Sequence, residues 1–258
     1  MIYKTLIVTE DNGIGLIRLN RPTLMNALNA QMRAEITAAL RDLGPRMRVL
    51  VLTGEGRAFC SGQDLGDGDS VNDLDLGRIL REEYEPMLRA IHDCPVPVIA
   101  AVNGAAAGAG ANLALACDVV IATQSAVFLQ AFARIGLIPD AGGTYWLPRL
   151  VGFARAMGQA LFADKVSAED AARMGLIWAA VPDDAFAAEW QARAAQLAAG
   201  PTRAYGAIKT ALRASMVADL DTQLETEAHL QAAMGKTRDF REGVMAFLEK
   251  RPARFEGR

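Results

Sequence analysis

Metal-ligating nitrogen and sulfur are scarce in this chain: two histidines and three cysteines in 258 residues. His92 and His229 stand alone in amphipathic stretches, without the spacing of a metal site, so packing or surface roles are expected and a metal is not. Cys60, Cys94 and Cys117 show no C-x-x-C spacing, which excludes a disulfide framework and suits a reducing, cytoplasmic compartment. Excess basic charge is lacking too. Lys and Arg number 27 against 30 Asp and Glu, a net charge of -3, so no face is advertised for nucleic acid. No apolar run reaches the roughly 18 residues of a membrane span. The richest stretch, Val96 to Ala116, is broken by Asn103, Asn112 and three glycines. The opening MIYKTLIVTEDNGIGLIRLN lacks a basic segment followed by a long apolar one, so no signal peptide is expected. There is no full G-x-x-x-x-G-K-[ST] stretch and no G-x-S-x-G around Ser61, which argues against a phosphate loop and a nucleophile elbow.

What is present is a globular composition, 52% hydrophobic and 22% charged, in a chain long enough for a large core. Two strands are predicted over Tyr3–Thr9 and Gly15–Leu19, around a turn at Asp11, Asn12 and Gly13. Met32, Ile36, Leu40 and Leu43 recur at helical spacing behind Asn29, a suitable N-cap. Arg48–Thr53 and Val98–Val102 read as buried strands, each followed by a glycine-rich loop, and Val119–Ala122 as another. Ile79 to Ile91 reads as a second amphipathic helix, and a small-residue helix is predicted near Ala111–Ala116. Beyond Leu147 the pattern is helical: Ala185–Ala198, Thr202–Met216, Leu220–Met234 and Arg238–Glu249, with Ser167 and Asp170 spaced as a capping box. Asp183 and Asp184 read as caps of the helix near Ala185. The order predicts an α/β core over residues 1–200 and a helical appendage over 201–258.

Three segments carry candidate chemistry. Ala58–Leu65 (AFCSGQDL) follows a buried strand, where ligands of α/β sheets collect. Asn103–Asn112 (NGAAAGAGAN) follows another and opens a helix, whose free N–H groups favour developing negative charge. Two such loops could supply converging donors, an oxyanion hole. Ordinary strand-to-helix loops and tight helix packing explain the same glycines. A dinucleotide turn starting at Gly108 would put Leu113 where glycine or alanine is required. In the third segment, Ile135–Thr144 (IGLIPDAGGT), Asp140 sits among apolar neighbours. Burial would raise its pKa and suit it to proton transfer, although it could equally cap a helix through Trp146 and Leu150. Cys60 beside Ser61 lacks an evident base.

Taken together, LNRPTLMNAL, LTGEGRAFCSGQDL, PVIAAVNGAAAGAGANLALACD, IGLIPDAGGTYWLPRLVG and the closing FLEKR resemble the crotonase (enoyl-CoA hydratase/isomerase) superfamily over essentially the whole chain. GLIPDAGGT after AFARIG, with DTQLETE later, is most similar to its epoxyphenylacetyl-CoA isomerase branch of bacterial phenylacetate degradation. The resemblance implies an α/β spiral of ββα units with a C-terminal helical region that builds homotrimers, commonly stacked as homohexamers. It implies an acyl-CoA thioester substrate, with coenzyme A arriving as part of it and no further cofactor.

By the same resemblance the oxyanion amides fall on Gln63 and Ala109. The loop with Ala58, Cys60, Gly62, Asp64 and Leu65 would cradle the CoA, and Gly108 and Gly110 would shape the second loop. Lys250 and Phe255 would reach the CoA of a neighbouring subunit. The two glutamates of the hydratases are replaced by Asn112 and Phe132, leaving Asp140 at a position that dienoyl-CoA isomerases use as a base. The expectation is a CoA-thioester isomerase with Asp140, Gln63 and Ala109 as its catalytic groups. The alternatives are an enoyl-CoA hydratase and a non-catalytic acyl-CoA-binding homologue.

Overall fold

In the computed structural model, residues 2–66 and 75–258 are described. The first strands, β1 (Leu6–Asp11) and β2 (Ile14–Leu19), form an antiparallel hairpin. β1 starts later than the sequence suggests because the amides of Lys4 and Thr5 donate to the Glu35 carboxylate, each at 2.8 Å, and leave the ladder. Helix α1 (Ala30–Leu43) follows, capped by Asn29, whose Oδ1 accepts from the Met32 N–H at 2.9 Å.

The chain then repeats one pattern. A long buried strand is followed within a few residues by a short one in a second sheet. Thus β3 (Val49–Gly54) precedes β4 (Ala58–Cys60), β5 (Val98–Val102) precedes β6 (Ala105–Ala107), and β7 (Val119–Thr123) precedes β8 (Val127–Leu129). Helix packs between these pairs: α2 (Leu76–Ile79), a π-helical turn Leu80–Tyr84 and α3 (Glu85–His92) before β5, and α4 (Ala109–Leu115) before β7. This is the expected spiral of ββα units. The long strands belong to a six-stranded sheet ordered β1-β2-β3-β5-β7-β10, with β10 at Ala179–Val181, parallel beyond the first hairpin. The short ones form a sheet ordered β4-β6-β8-β9, with β9 at Lys165–Ser167.

Both faces of the long strands are covered, which is why they read as unbroken apolar runs. On one side Leu50, Leu52, Val98, Ala100 and Phe59 pack with Met32, Ile36 and Leu40 of α1. On the other, Val49, Val51, Ile99 and Ile121 meet Phe186, Ala194 and Ala198 of α8 (Phe186–Ala199). The glycines of the short-strand sheet are set by close approach: a Cβ at Gly104 would lie 2.2 Å from the Arg57 carbonyl oxygen.

Beyond Gly142 the chain is largely helical: α5 (Gly143–Val151), α6 (Phe153–Phe162), α7 (Ala168–Arg173), α8, α9 (Thr202–Ala214), α10 (Leu220–Met234) and α11 (Arg238–Leu248). Ser167 caps α7 as its spacing suggests, its Oγ accepting from the Asp170 N–H. β4, β6, β8, β9 and β10 are absent from the sequence reading because three residues carry too little periodicity. Asp183 and Asp184 do not cap α8, whose N-cap, Ala185, makes no side-chain bond. Asp183 instead accepts from the Thr123 hydroxyl and the Ser125 N–H, pinning the end of β7. The Gly235-Lys236-Thr237 triplet, preceded by Leu230 where a phosphate loop needs glycine, is the α10–α11 junction, with Thr237 capping α11. Among the described residues no helix is long and apolar enough to cross a membrane, and no cluster of three metal-ligating side chains occurs.

Candidate active site

The first glycine-rich loop leaves β4 and pairs once with the chain before α1, as a parallel bridge between Leu28 and Gln63. Leu28 N–H donates to the Gly62 carbonyl at 2.8 Å and Asp64 N–H to the Leu28 carbonyl at 3.1 Å. Alternation along an extended strand therefore turns the Gln63 N–H away from Leu28, and it has no backbone acceptor among the described residues. The second loop ends at Gly108, whose φ of +52° and ψ of -127° suit glycine, and Ala109 is the first residue of α4. The Ala109 N–H is thus one of the free donors of a helix start. The two loops abut: a Cβ at Gly62 would lie 3.4 Å from the Ala109 nitrogen, and one at Gly110 only 2.3 Å from the Cys60 carbonyl oxygen.

Asp140 lies in the turn before α5. It does not cap that helix, since Gly142 holds the N-cap position and no side chain bonds there. Asp140 is held through its main chain: its carbonyl accepts from Asn112 Nδ2 at 2.7 Å and from the Gly143 N–H at 2.8 Å. Asn112 is fully buried on α4, and its Oδ1 accepts from Gln130 Nε2 at 2.8 Å. The half-buried Asp140 carboxyl has a buried Oδ1 without a hydrogen-bond partner among the described residues. Burial pushes its pKa up to about 6, because the charged form loses hydration that the bond from its own main-chain N–H only partly offsets. Ala141 and Gly142 take positive φ values of 46° and 82°, so the turn that presents Asp140 is tightly wound.

Phe132 packs its ring 3.7 Å from the Cβ position of Gly108. Ala58 and Cys60 belong to β4 and are buried, 2% and 0% exposed. Burial pushes the Cys60 thiol up to about 12, which removes it as a nucleophile. Asp64 is paired with Arg21 at 2.8 Å, and Leu65 is exposed. Lys250 follows α11 and Phe255 packs near Gly243 of that helix, so within one chain neither joins the cluster of Gln63, Ala109 and Asp140. His92 bonds Asp93 and stacks on Trp146, a packing role.

The sequence reading missed Arg33 and Tyr84, which bond the Gln63 side chain, and Glu83, which pairs with Arg33. Arg33 Nη1 donates to Gln63 Oε1 at 2.8 Å, and Tyr84 Oη donates to the same oxygen at 2.5 Å. A signal existed: Arg33 sits three residues before Ile36 on the buried stripe of α1, where a charge demands a partner.

The family model for enoyl-CoA hydratase/isomerase matches residues 9–258. The chain belongs to the enoyl-CoA hydratase/isomerase family. It is 63% identical over its full length, and that of the relative, to a Rhodobacter capsulatus protein named "Probable enoyl-CoA hydratase". It is 46% identical to the 1,2-epoxyphenylacetyl-CoA isomerase of Escherichia coli K12, covering 96% of this chain and 97% of that one. The crystal structure of an enoyl-CoA hydratase from Mycobacterium smegmatis superposes with a TM-score of 0.92 at 30% identity, covering 98% and 99% of the two chains. The crotonase fold read from the ββα repeat is therefore this family's, and its members act on CoA thioesters.

Proposed function

We propose that this family member is a CoA-thioester isomerase. The observation that carries the reading is Asp140, a half-buried carboxyl with a raised pKa placed beside the two glycine-rich loops. Asn112 and Phe132 stand where the resemblance puts the glutamates of hydratases, and a neutral amide or phenyl ring cannot act as a base. The N–H groups of Gln63 and Ala109 would hold the thioester oxygen, where preorganised donors stabilise an enolate. Asp140 would take an α-proton from a β,γ-enoyl thioester and return it at the γ-carbon, moving the double bond to α,β. On an aryl epoxide the same site would promote ring opening and rearrangement to an oxepin thioester, a substrate suggested by the name of the 46% identical relative. Coenzyme A enters as part of the substrate, and no other cofactor is needed. A homotrimer or homohexamer in the cytoplasm completes the proposal.

The name of the 63% identical relative favours a second reading, enoyl-CoA hydration. Parallel assays of β,γ-enoyl-CoA, 1,2-epoxyphenylacetyl-CoA and crotonyl-CoA decide between them. Isomerisation is expected, abolished by Asp140→Asn, with crotonyl-CoA hydration slower by about 100-fold or more, the size of one missing acid/base group. Rapid hydration, or an Asp140→Asn protein that isomerises at the wild-type rate, rejects the reading.

A further inference from the structure

Arg33 is a charged residue in a place built for an apolar one. It is 2% exposed, on the face of α1 that carries Met32 and Ile36. Its guanidinium makes four hydrogen bonds to three residues. Nη1 donates to the Leu28 carbonyl at 2.7 Å and to Gln63 Oε1 at 2.8 Å, Nη2 meets Glu83 Oε2 at 2.6 Å, and the plane lies 4.9 Å from the centre of the Tyr84 ring. Leu28 and Gln63 are the two halves of the bridge that joins the first glycine-rich loop to the chain before α1. One side chain thus grips both sides of that bridge.

The opposite wall is unusual as well. Glu83 and Tyr84 are consecutive residues, and both reach this cluster. They come from the π-helical turn Leu80–Tyr84, where the Glu85 N–H bonds back to the Leu80 carbonyl and widens the coil. Such turns occur mostly as single irregularities, often at functional sites. Stability alone does not call for this arrangement, since a buried ion pair is commonly replaced by apolar packing at no cost.

We infer that Arg33 and Tyr84 are positioning residues, which lock Gln63 so that its main-chain N–H points at the thioester oxygen. This rests on the reading of Gln63 as an oxyanion donor. Neither residue need touch the substrate. Their donors converge on Gln63 Oε1, fixing a side chain that would otherwise rotate, while Arg33 holds Leu28 against the same strand. Misplacing a donor by about an ångström is enough to cost about 100-fold in rate.

The test uses Tyr84→Phe, Arg33→Lys and the double variant Arg33→Met/Glu83→Gln, which leaves no unpaired charge. Isotope-edited infrared spectroscopy reads the carbonyl stretch of bound butyryl-CoA labelled with carbon-13 at the thioester, alongside kcat, KM and affinity for butyl-CoA, a thioether without that carbonyl. In the wild type the stretch is expected to fall in frequency on binding. Tyr84→Phe and the double variant should lose part of that shift and about 10- to 100-fold in kcat, with butyl-CoA affinity unchanged, and Arg33→Lys should recover part of both. Should the double variant fail to fold, Tyr84→Phe decides alone. Folded variants with wild-type shift and kcat overturn the inference, as does an equal loss of butyl-CoA affinity, which marks a merely structural role. A wild type that shows no carbonyl shift instead sinks the assignment of Gln63 and Ala109 as donors.

Discussion

Asn112 Nδ2 donates to the main-chain oxygen of Asp140 at 2.7 Å, tying the turn that carries the carboxyl to the helix that starts at Ala109. The other end of the amide is used too, by Gln130 Nε2 at 2.8 Å. Substituting Asn112→Asp would replace the donor by a carboxylate facing a carbonyl. A loss of about 2 kcal/mol of stability is expected, the cost of a buried group left unsatisfied, with a fall in turnover as the turn loosens. Urea denaturation and kcat measure both. A variant within about 0.5 kcal/mol of wild type would show that this bond does not fix Asp140.

Asp140 gives a pH dependence of defined sign. Its folded pKa is raised to about 6 from the ordinary aspartate value of 3.8. A raised carboxyl binds its proton more tightly when folded, so its contribution to stability is full below about pH 4 and lost as pH rises through about 6. The isomerase rate should run the other way, rising with pH through about 6 as the base form appears. Asp140→Asn should melt higher than wild type at pH 8 by more than it does at pH 5, the gap closing only toward about pH 4, while losing the rate profile. Differential scanning calorimetry and kcat/KM across that range are the measurements. An unchanged melting difference between the two pH values contradicts the burial argument.

Ala109 opens α4, where proline is tolerated because that N–H has no helical partner. Ala109→Pro should therefore fold and lose the proposed donor, lowering kcat by about 100-fold or more. Circular dichroism checks folding, and steady-state kinetics check the rate. Full turnover in a folded variant removes Ala109 from the site.

A broad apolar groove between α9, α10 and α11, lined by Leu224, Phe240, Val244, Phe247 and Leu248, has a volume of about 1060 Å³. Phe247 is 82% exposed in the single chain, and α10 buries none of its residues there. Subunit contact would cover these side chains. Light scattering should report a trimer or hexamer at micromolar concentration, and Phe247→Glu should weaken it. A stable wild-type monomer rejects the proposal.

The long strands and amphipathic helices were legible in the sequence because burial on both faces, or on one stripe, leaves a period that neighbouring residues carry by themselves. Asn29 and Ser167 were legible as caps because their partners lie three residues away. The glycines of the two loops marked backbone that side chains could not approach, although not what they approached. Asp140 was visible as a lone carboxylate among apolar residues, with two readings open.

Only the tertiary structure removed one of them, the helix cap. It placed Gly142, not Asp140, at the helix start, and left one oxygen of the half-buried carboxyl without a partner among the described residues. It also set Arg33, Gln63 and Tyr84 together, residues 30 and 21 positions apart in sequence. Local pattern records which residues seek burial and where the chain turns. Which polar atoms meet inside depends on how distant strands and helices are stacked, and that lies in contacts no short window of sequence contains.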